Sequence, residues 1–199
     1  MKIIGLTGGI ASGKNFVAEI FAQNNAAIFD ADIEVHKLME SDKLTIQAVK
    51  KNFPESFIDA RIDRKILGKI VFADAKKLKI LEKIIHPKVR EKYQNFLKKS
   101  ESEKRKFAVL NIPLLLETKA YKCDKIVAII ASPSVQKKRF LARLEKVDNW
   151  EVLEKKFEQI RSKQISNEER KKVADFVVNT NGGKSDVVNQ VKNIIDLLC

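Results

Sequence analysis

Residues 8–15 read Gly8-Gly9-Ile10-Ala11-Ser12-Gly13-Lys14-Asn15. They stand between a short apolar run, Lys2 to Thr7 (KIIGLT), and a segment from Lys14 to Asn24 with apolar residues at Phe16, Val17, Ile20 and Phe21. The first pattern suits a strand and the second a helix. Gly8, Gly13 and Lys14 have the spacing of a Walker A loop. Glycines there let backbone amides wrap around nucleotide phosphates, the helix N-terminus faces the negative charge, and the lysine reaches the β and γ phosphates. Residues Gly8 to Phe16 are therefore the candidate nucleotide cradle, with ATP as the expected ligand and Lys14 as its principal cation. A dinucleotide fingerprint ending at Gly13 would need glycine where Ile10 stands, which disfavours hydride transfer. Asn15 occupies the position of the Ser or Thr whose hydroxyl holds Mg²⁺. An amide oxygen can take that place with altered geometry, so Asn15 is a candidate Mg²⁺ ligand.

Four further runs resemble the first: Ala26 to Phe29, Phe107 to Ile112, Lys125 to Ala131 and Asp175 to Asn179. All are nearly continuously apolar, as parallel strands covered on both faces are. Helical patterns fill the intervals: Asp32 to Met39, Arg64 to Phe72, Asp74 to Ile85, Val89 to Lys99, Ser134 to Glu145, Trp150 to Lys163 and Asp186 to Leu198. Alternating elements predict an α/β fold, a P-loop NTPase-type parallel five-stranded sheet flanked by helices. The interval between the second and third strands is too long for one crossover helix and predicts a helical subdomain. A second helical excursion, Arg139 to Lys172, reads as a mobile lid or as a long amphipathic helix pair. The chain is expected to be one kinase domain, with a core of about 1–30, 105–138 and 173–199, a subdomain of about 31–104 and a lid of about 139–172.

Composition bounds the rest. The 199 residues carry 39 Lys and Arg against 26 Asp and Glu, a formal net charge of +13. That surplus suits nucleic acid, a membrane surface or a highly phosphorylated small molecule. The densest basic segment, Lys98 to Lys106, lacks interleaved aromatic residues for base stacking and reads as a solvated helix end and loop. No run approaches the about 18 apolar residues of a membrane span. Cys123 and Cys199, the only cysteines, suggest neither a disulfide framework nor a zinc site, and a cytoplasmic setting is the default.

Within P-loop proteins, a GTPase would show an N-K-x-D guanine motif, whereas the nearest match, Tyr121-Lys122-Cys123-Asp124, lacks the Asn. A motor-type ATPase would end its third strand on an Asp, whereas this run contains Asn111 and continues into Pro113. A small kinase remains, in which catalysis is positioning, charge stabilisation and a base for the acceptor hydroxyl. Asp30 and Asp32 lie at the end of the second strand, the edge where open α/β sheets bind ligands. If the strand continues through them, they point opposite ways. Asp32 is the candidate general base and a possible Mg²⁺ orienter, the alternative being that one of the pair only caps the next helix. Arg139 and Arg143, four apart, share a helix face and either close over the triphosphate or form a solvated basic face. His86-Pro87 looks like a helix start with proline in its first position.

These segments together resemble the dephospho-CoA kinase family. IIGLTGGIASGK, IFDAD, IDRKILGKIVF, LEKIIHPKVR, IPLLLE, Gln136 with Arg139 and Arg143, and ADFVVNTNG occur in that family's order and approximate spacing over nearly the whole chain. The resemblance implies ATP-dependent phosphorylation of the ribose 3′-hydroxyl of dephospho-CoA to give CoA and ADP. It implies ATP and dephospho-CoA as partners, Asp32 as base, Arg139 and Arg143 at the lid, and an acceptor-facing set of Thr7, Asp32, Arg64, His86 and Arg90. The chain departs from the family pattern at Asn15, at Ala11 in place of a glycine, at Leu144 where an acidic residue is common, and in a longer stretch from Leu144 to Lys155.

Overall fold

The computed structural model describes residues 1–113, 115–118, 120–143 and 150–199. Expectations for 144–149, namely the end of the helix predicted to reach Glu145 and the start of the long stretch from Leu144, lie outside the described residues. Two compact units emerge: Met1–Phe29 with Ser100–Cys199, and Asp30–Lys99.

The first unit is built on β1 (Lys2–Gly8), β2 (Ala26–Asp30), β5 (Phe107–Asn111), β6 (Lys125–Ile130) and β7 (Phe176–Asn179), in the sheet order β2-β5-β1-β6-β7. β1 runs parallel to β5 and to β6, and β6 parallel to β7. The five apolar runs of the sequence are thus the five strands. Ile4, Leu6, Val109, Val127, Ile129 and Val178 are fully buried, as strands covered on both faces require. Helices α1 (Lys14–Gln23) and α10 (Lys184–Leu198) pack together and contribute Val17, Ile20, Phe21, Val191 and Ile195 to the same core. Phe21 meets Phe107 edge to face at 6.3 Å. With β1 in the middle, its C-terminal end opens into the crevice where the crossovers diverge, which is where α/β sheets place ligands.

The short helix α6 (Leu115–Thr118) precedes β6, and helices α7 (Pro133–Ala142), α8 (Trp150–Ser162) and α9 (Asn167–Val173) follow it. Phe157, fully buried on α8, packs on Phe140 of α7 at 5.6 Å, and Lys137 pairs with Glu154 across the same two helices at 3.0 Å. Ser166 and Glu169 form a reciprocal capping box at the start of α9. Asp175 accepts from Lys125 Nζ and from Ile126 N, each at 2.8 Å, and these bonds, the lysine's first, hold its carboxyl below the usual range.

The second unit contains α2 (Ala31–Ser41), α3 (Lys43–Asn52), a 3-10 turn (Pro54–Ser56), a hairpin of β3 (Phe57–Ile58) and β4 (Arg61–Ile62), α4 (Arg64–Ala73) and most of α5 (Ala75–Ser102). Asp42 and Asp63 cap α3 and α4. The sequence reading missed α3 and the hairpin. The turn is Asp59-Ala60 with both residues at positive φ, 48° and 61°, and it contains no glycine to announce it. The helix start expected at His86-Pro87 is also corrected, because α5 is continuous across it with Pro87 inside. Proline removes one backbone donor there. Ile85 and Val89, four apart and flanking the proline, are both buried, so one apolar stripe runs through it.

Among the described residues no helix is long and apolar enough to cross a membrane. The Cys123 thiol is pushed up to about 11, first by burial and then by the Asp124 carboxylate, while Cys199 is exposed. A thiol reagent at pH 7.5 should therefore label one cysteine rapidly, Cys199, and both only after unfolding; equal rates in the native protein would contradict this burial.

Candidate active site

The loop after β1 has a strained but pinned backbone. Gly13, the N-cap of α1, has φ +95°, a conformation glycine adopts freely. Ala11 has φ +53°, although an alanine pays for the left-handed region with its Cβ. Ser12 N donates to Gly9 O at 3.2 Å, Val17 N to Gly13 O at 3.2 Å, and Lys14 Nζ reaches back to Gly8 O at 2.9 Å. The lysine is thus folded along the loop, where a phosphate can meet it.

Three side chains from distant elements hold this loop. Gln136 of α7 donates through Nε2 to Ile10 O at 2.8 Å, and Gln164, just beyond α8, accepts from Ile10 N at 2.8 Å. Thr180, just beyond β7, donates to Ser12 O at 2.7 Å. A Cβ on Gly9 would lie 2.7 Å from Gln136 Nε2, so any side chain at position 9 would displace that hydrogen bond.

Arg139 belongs to the same cluster. Its Nη1 donates to Thr180 Oγ1 at 3.0 Å and its Nη2 to Thr180 O at 2.6 Å, which sets the guanidinium beside Gly13. Arg143 is exposed as the C-cap of α7. Of the two arginines expected on one face, the structure brings only Arg139 to the loop by a hydrogen bond it shows. Thr7 is fully buried in β1, with no hydrogen-bond partner for its hydroxyl. Phe16 packs against the sheet core, with Lys184 Nζ 5.8 Å from its ring centroid.

At the metal position, Asn111 Nδ2 donates to Asn15 Oδ1 at 3.0 Å. Asn111 ends β5, where a motor ATPase would carry Asp, so two neutral amides stand where other P-loop proteins pair a hydroxyl with a carboxylate. Mg²⁺ prefers oxygen ligands. The Asn15 carbonyl oxygen is one and has a second lone pair beyond the bond from Asn111, so this corner fits the ion through one neutral donor.

In the other unit, the strand does not continue to Asp32. β2 ends at Asp30, which caps α2 by accepting from Ile33 N at 3.0 Å. The idea of two strand aspartates facing opposite ways is thereby corrected: an Asp here is a strong N-cap, and the chain turns into the helix at once. Asp32 lies exposed in the first helical turn. Arg64 is exposed at the start of α4, and His86 and Arg90 are exposed one helical turn apart on α5.

The family model for dephospho-CoA kinase matches residues 2–186. The chain belongs to the dephospho-CoA kinase family. A dephospho-CoA kinase of Bartonella henselae is 40% identical over 199 residues, covering 100% of this chain and 98% of its own, and one from Wolbachia pipientis is 40% identical over 197 residues, 98% and 97%. A crystal structure from Thermus thermophilus superposes with a TM-score of 0.84 at 28% identity, covering 100% of this chain and 98% of that one. A dephospho-CoA kinase structure from Campylobacter jejuni gives 0.68 at 27% identity, 98% and 95%. Dephospho-CoA kinases carry out the final step of CoA biosynthesis, an ATP-dependent phosphorylation, and this chain is an enzyme of that family.

Sequence reasoning left Gln164, Thr180, Asn111 and the buried Arg170 without roles. Asn111 and Thr180 were marked only by polarity at the ends of apolar strands, and Gln164 and Arg170 stand in charged stretches where nothing local distinguishes them. Since Ala11 is at φ +53°, Ala11→Gly should change thermal stability by less than about 1 kcal/mol, because relief of strain offsets the looser unfolded chain. Ala11→Val should cost about 2 kcal/mol or more; equal effects of the two, read by thermal unfolding, would contradict the left-handed backbone.

Proposed function

We propose that this chain transfers the γ-phosphoryl group of Mg·ATP to the ribose 3′-hydroxyl of dephospho-CoA, releasing CoA and ADP. The observation that supports this most is the pinned loop Gly8–Phe16 in a chain of this family: Ile10 and Ser12 are tied to Gln136, Gln164 and Thr180, so the amides need no reordering when the phosphates arrive. The backbone N–H groups at the head of α1 receive the phosphates, and Lys14 takes the β and γ oxygens.

Asp32 accepts the proton of the 3′-hydroxyl as the oxygen attacks phosphorus. Arg139, oriented by Thr180, balances charge on the transferred group, and Arg143 joins it from the end of α7. Thr7, Arg64, His86 and Arg90 are assigned to the acceptor, the cations meeting its phosphates. Residues of about 31–104 form the acceptor subdomain and about 139–172 the lid, with the core at about 1–30, 105–138 and 173–199. Magnesium, when bound, neutralises charge on the β and γ phosphate oxygens. Asn15 would hold it, with Asp32 as a second candidate.

ADP release with Mg·ATP should be fast with dephospho-CoA and slow with nucleosides or their monophosphates; preference for a monophosphate acceptor would overturn the assignment. Asp32→Asn should lower kcat by about 10² or more with ATP affinity retained, within the range for general base catalysis, and an unchanged rate would remove Asp32 from that role. Since Asn15 bonds to Asn111, Asn15→Ser alone should weaken Mg²⁺-dependent nucleotide binding, and Asn15→Ser with Asn111→Asp should recover it; full activity of the single variant would show that the amide pair is not coupled.

A further inference from the structure

Arg170, on α9, is 2% exposed, the most buried charge among the described residues. One guanidinium nitrogen, Nη1, donates to Ile165 O at 2.5 Å. Nη2 lies 3.5 Å from Glu117 Oε1 without hydrogen-bond geometry, and neither Nη2 nor Nε has a hydrogen-bond partner. Glu117 spends Oε1 on Ile165 N at 3.4 Å, and its Oε2 is likewise buried and unpartnered. Arginine does not lose its proton in proteins. Burial disfavours its charge here while Glu117 and Glu169 support it. A buried guanidinium with two idle donors is a costly arrangement for a purely structural ion pair.

The two idle donors are sealed inside the protein, and Nη1 is the nitrogen that lies toward the phosphate loop. Arg170 lines a cavity of about 570 Å³ together with Gly9, Gln136, Gln164 and Arg161. Nη1 is 3.6 Å from the point where a Cβ on Gly9 would lie. Glu158 and Glu168 also line the cavity, but each is engaged with a cation on its own helix, Arg161 at 3.2 Å and Lys171 at 3.0 Å. Gly9 sits at the start of the phosphate loop, next to the Gly8 carbonyl that Lys14 Nζ reaches. The lysine of such a loop meets the β and γ phosphates, so the start of the loop is where the terminal phosphate ends.

We propose that Arg170 is a catalytic residue whose guanidinium, through its charge and the second N–H of Nη1 on the Gly9 side, binds the γ-phosphoryl group of ATP and holds it through transfer. In that step the bond from the γ phosphorus to the β,γ-bridging oxygen breaks, the bond from the acceptor 3′-oxygen forms, the hydroxyl proton passes to Asp32, and ADP leaves with the bridging oxygen. Arg170 supplies only hydrogen bonds and positive charge, as arginines do on transferring phosphoryl groups. The inference rests on the loop being the ATP site.

The test is calorimetric binding of Mg·ATP and Mg·ADP, with kcat and KM, for the wild type, Arg170→Lys, Arg170→Gln and the double variant Arg170→Gln with Glu117→Gln. The double variant replaces both charges by neutral amides, so that neither is left buried without its counter-charge, and separates a folding role from a phosphate role. The expected result is a loss of about tenfold or more in ATP affinity with ADP affinity within about twofold, and a kcat loss of about 10³, the scale of arginines that meet transferring phosphates. This pattern should persist in the double variant, with thermal stability restored. Parallel losses for ATP and ADP, or recovery of kcat in the double variant, would overturn the proposal and leave Arg170 as the partner of Glu117. Failure of the wild type to bind either nucleotide would overturn it together with the reading of the loop.

Discussion

The backbone of one residue, Ile10, fixes this site. The carbonyl and the amide of Ile10 are both taken by glutamine side chains, Gln136 on α7 and Gln164 just beyond α8. With Thr180 on the next carbonyl but one, at Ser12, the loop between β1 and α1 has lost most of its conformational freedom before any ligand arrives. That preorganisation makes a left-handed alanine tolerable at position 11. A side chain at position 9 would push the Gln136 amide away and break its bond to Ile10 O. Thr180 also holds Arg139 beside Gly13, while Arg170, bonded to Ile165 O, lies beside Gly9. The loop therefore carries a cation near each end, with Lys14 folded between them.

The strand, loop and helix that open the chain were legible in the sequence because their signals are local: apolar runs, glycine spacing and a lysine at the head of a helix. The five strands were legible for the same reason. Pairings that complete the site were not. Gln164 is 154 residues from Ile10 and Thr180 is 168 from Ser12, and no pattern within a segment encodes such contacts. Local rules also misled where two competed. At His86-Pro87 the proline rule argued for a break, yet the apolar stripe through Ile85 and Val89 prevailed. At Asp30 the capping preference of aspartate prevailed over strand continuation.

The basic surplus looks different once the side chains are placed. Some cations sit on helix surfaces beside carboxylates three residues away, as Lys37 with Glu34, Arg161 with Glu158 and Lys171 with Glu168, pairs worth about 0 to 1 kcal/mol each. The cations at the loop are of another kind: Arg139 is fixed by Thr180, and Arg170 is buried. Fixing rather than number gives a phosphate its binding energy, because a cation already in place loses little entropy when the anion comes. The metal corner follows a different logic, since Asn15 and Asn111 contribute oxygen and nitrogen but no charge.

Phosphoryl transfer by this chain is tested most directly by the ³¹P spectrum of a reaction containing it, Mg·ATP and dephospho-CoA. ADP and a new phosphate monoester should appear in equal amounts, the monoester phosphorus coupled to the ribose proton at the 3′ carbon. ADP with inorganic phosphate and no monoester, or a monoester at another position, would contradict it.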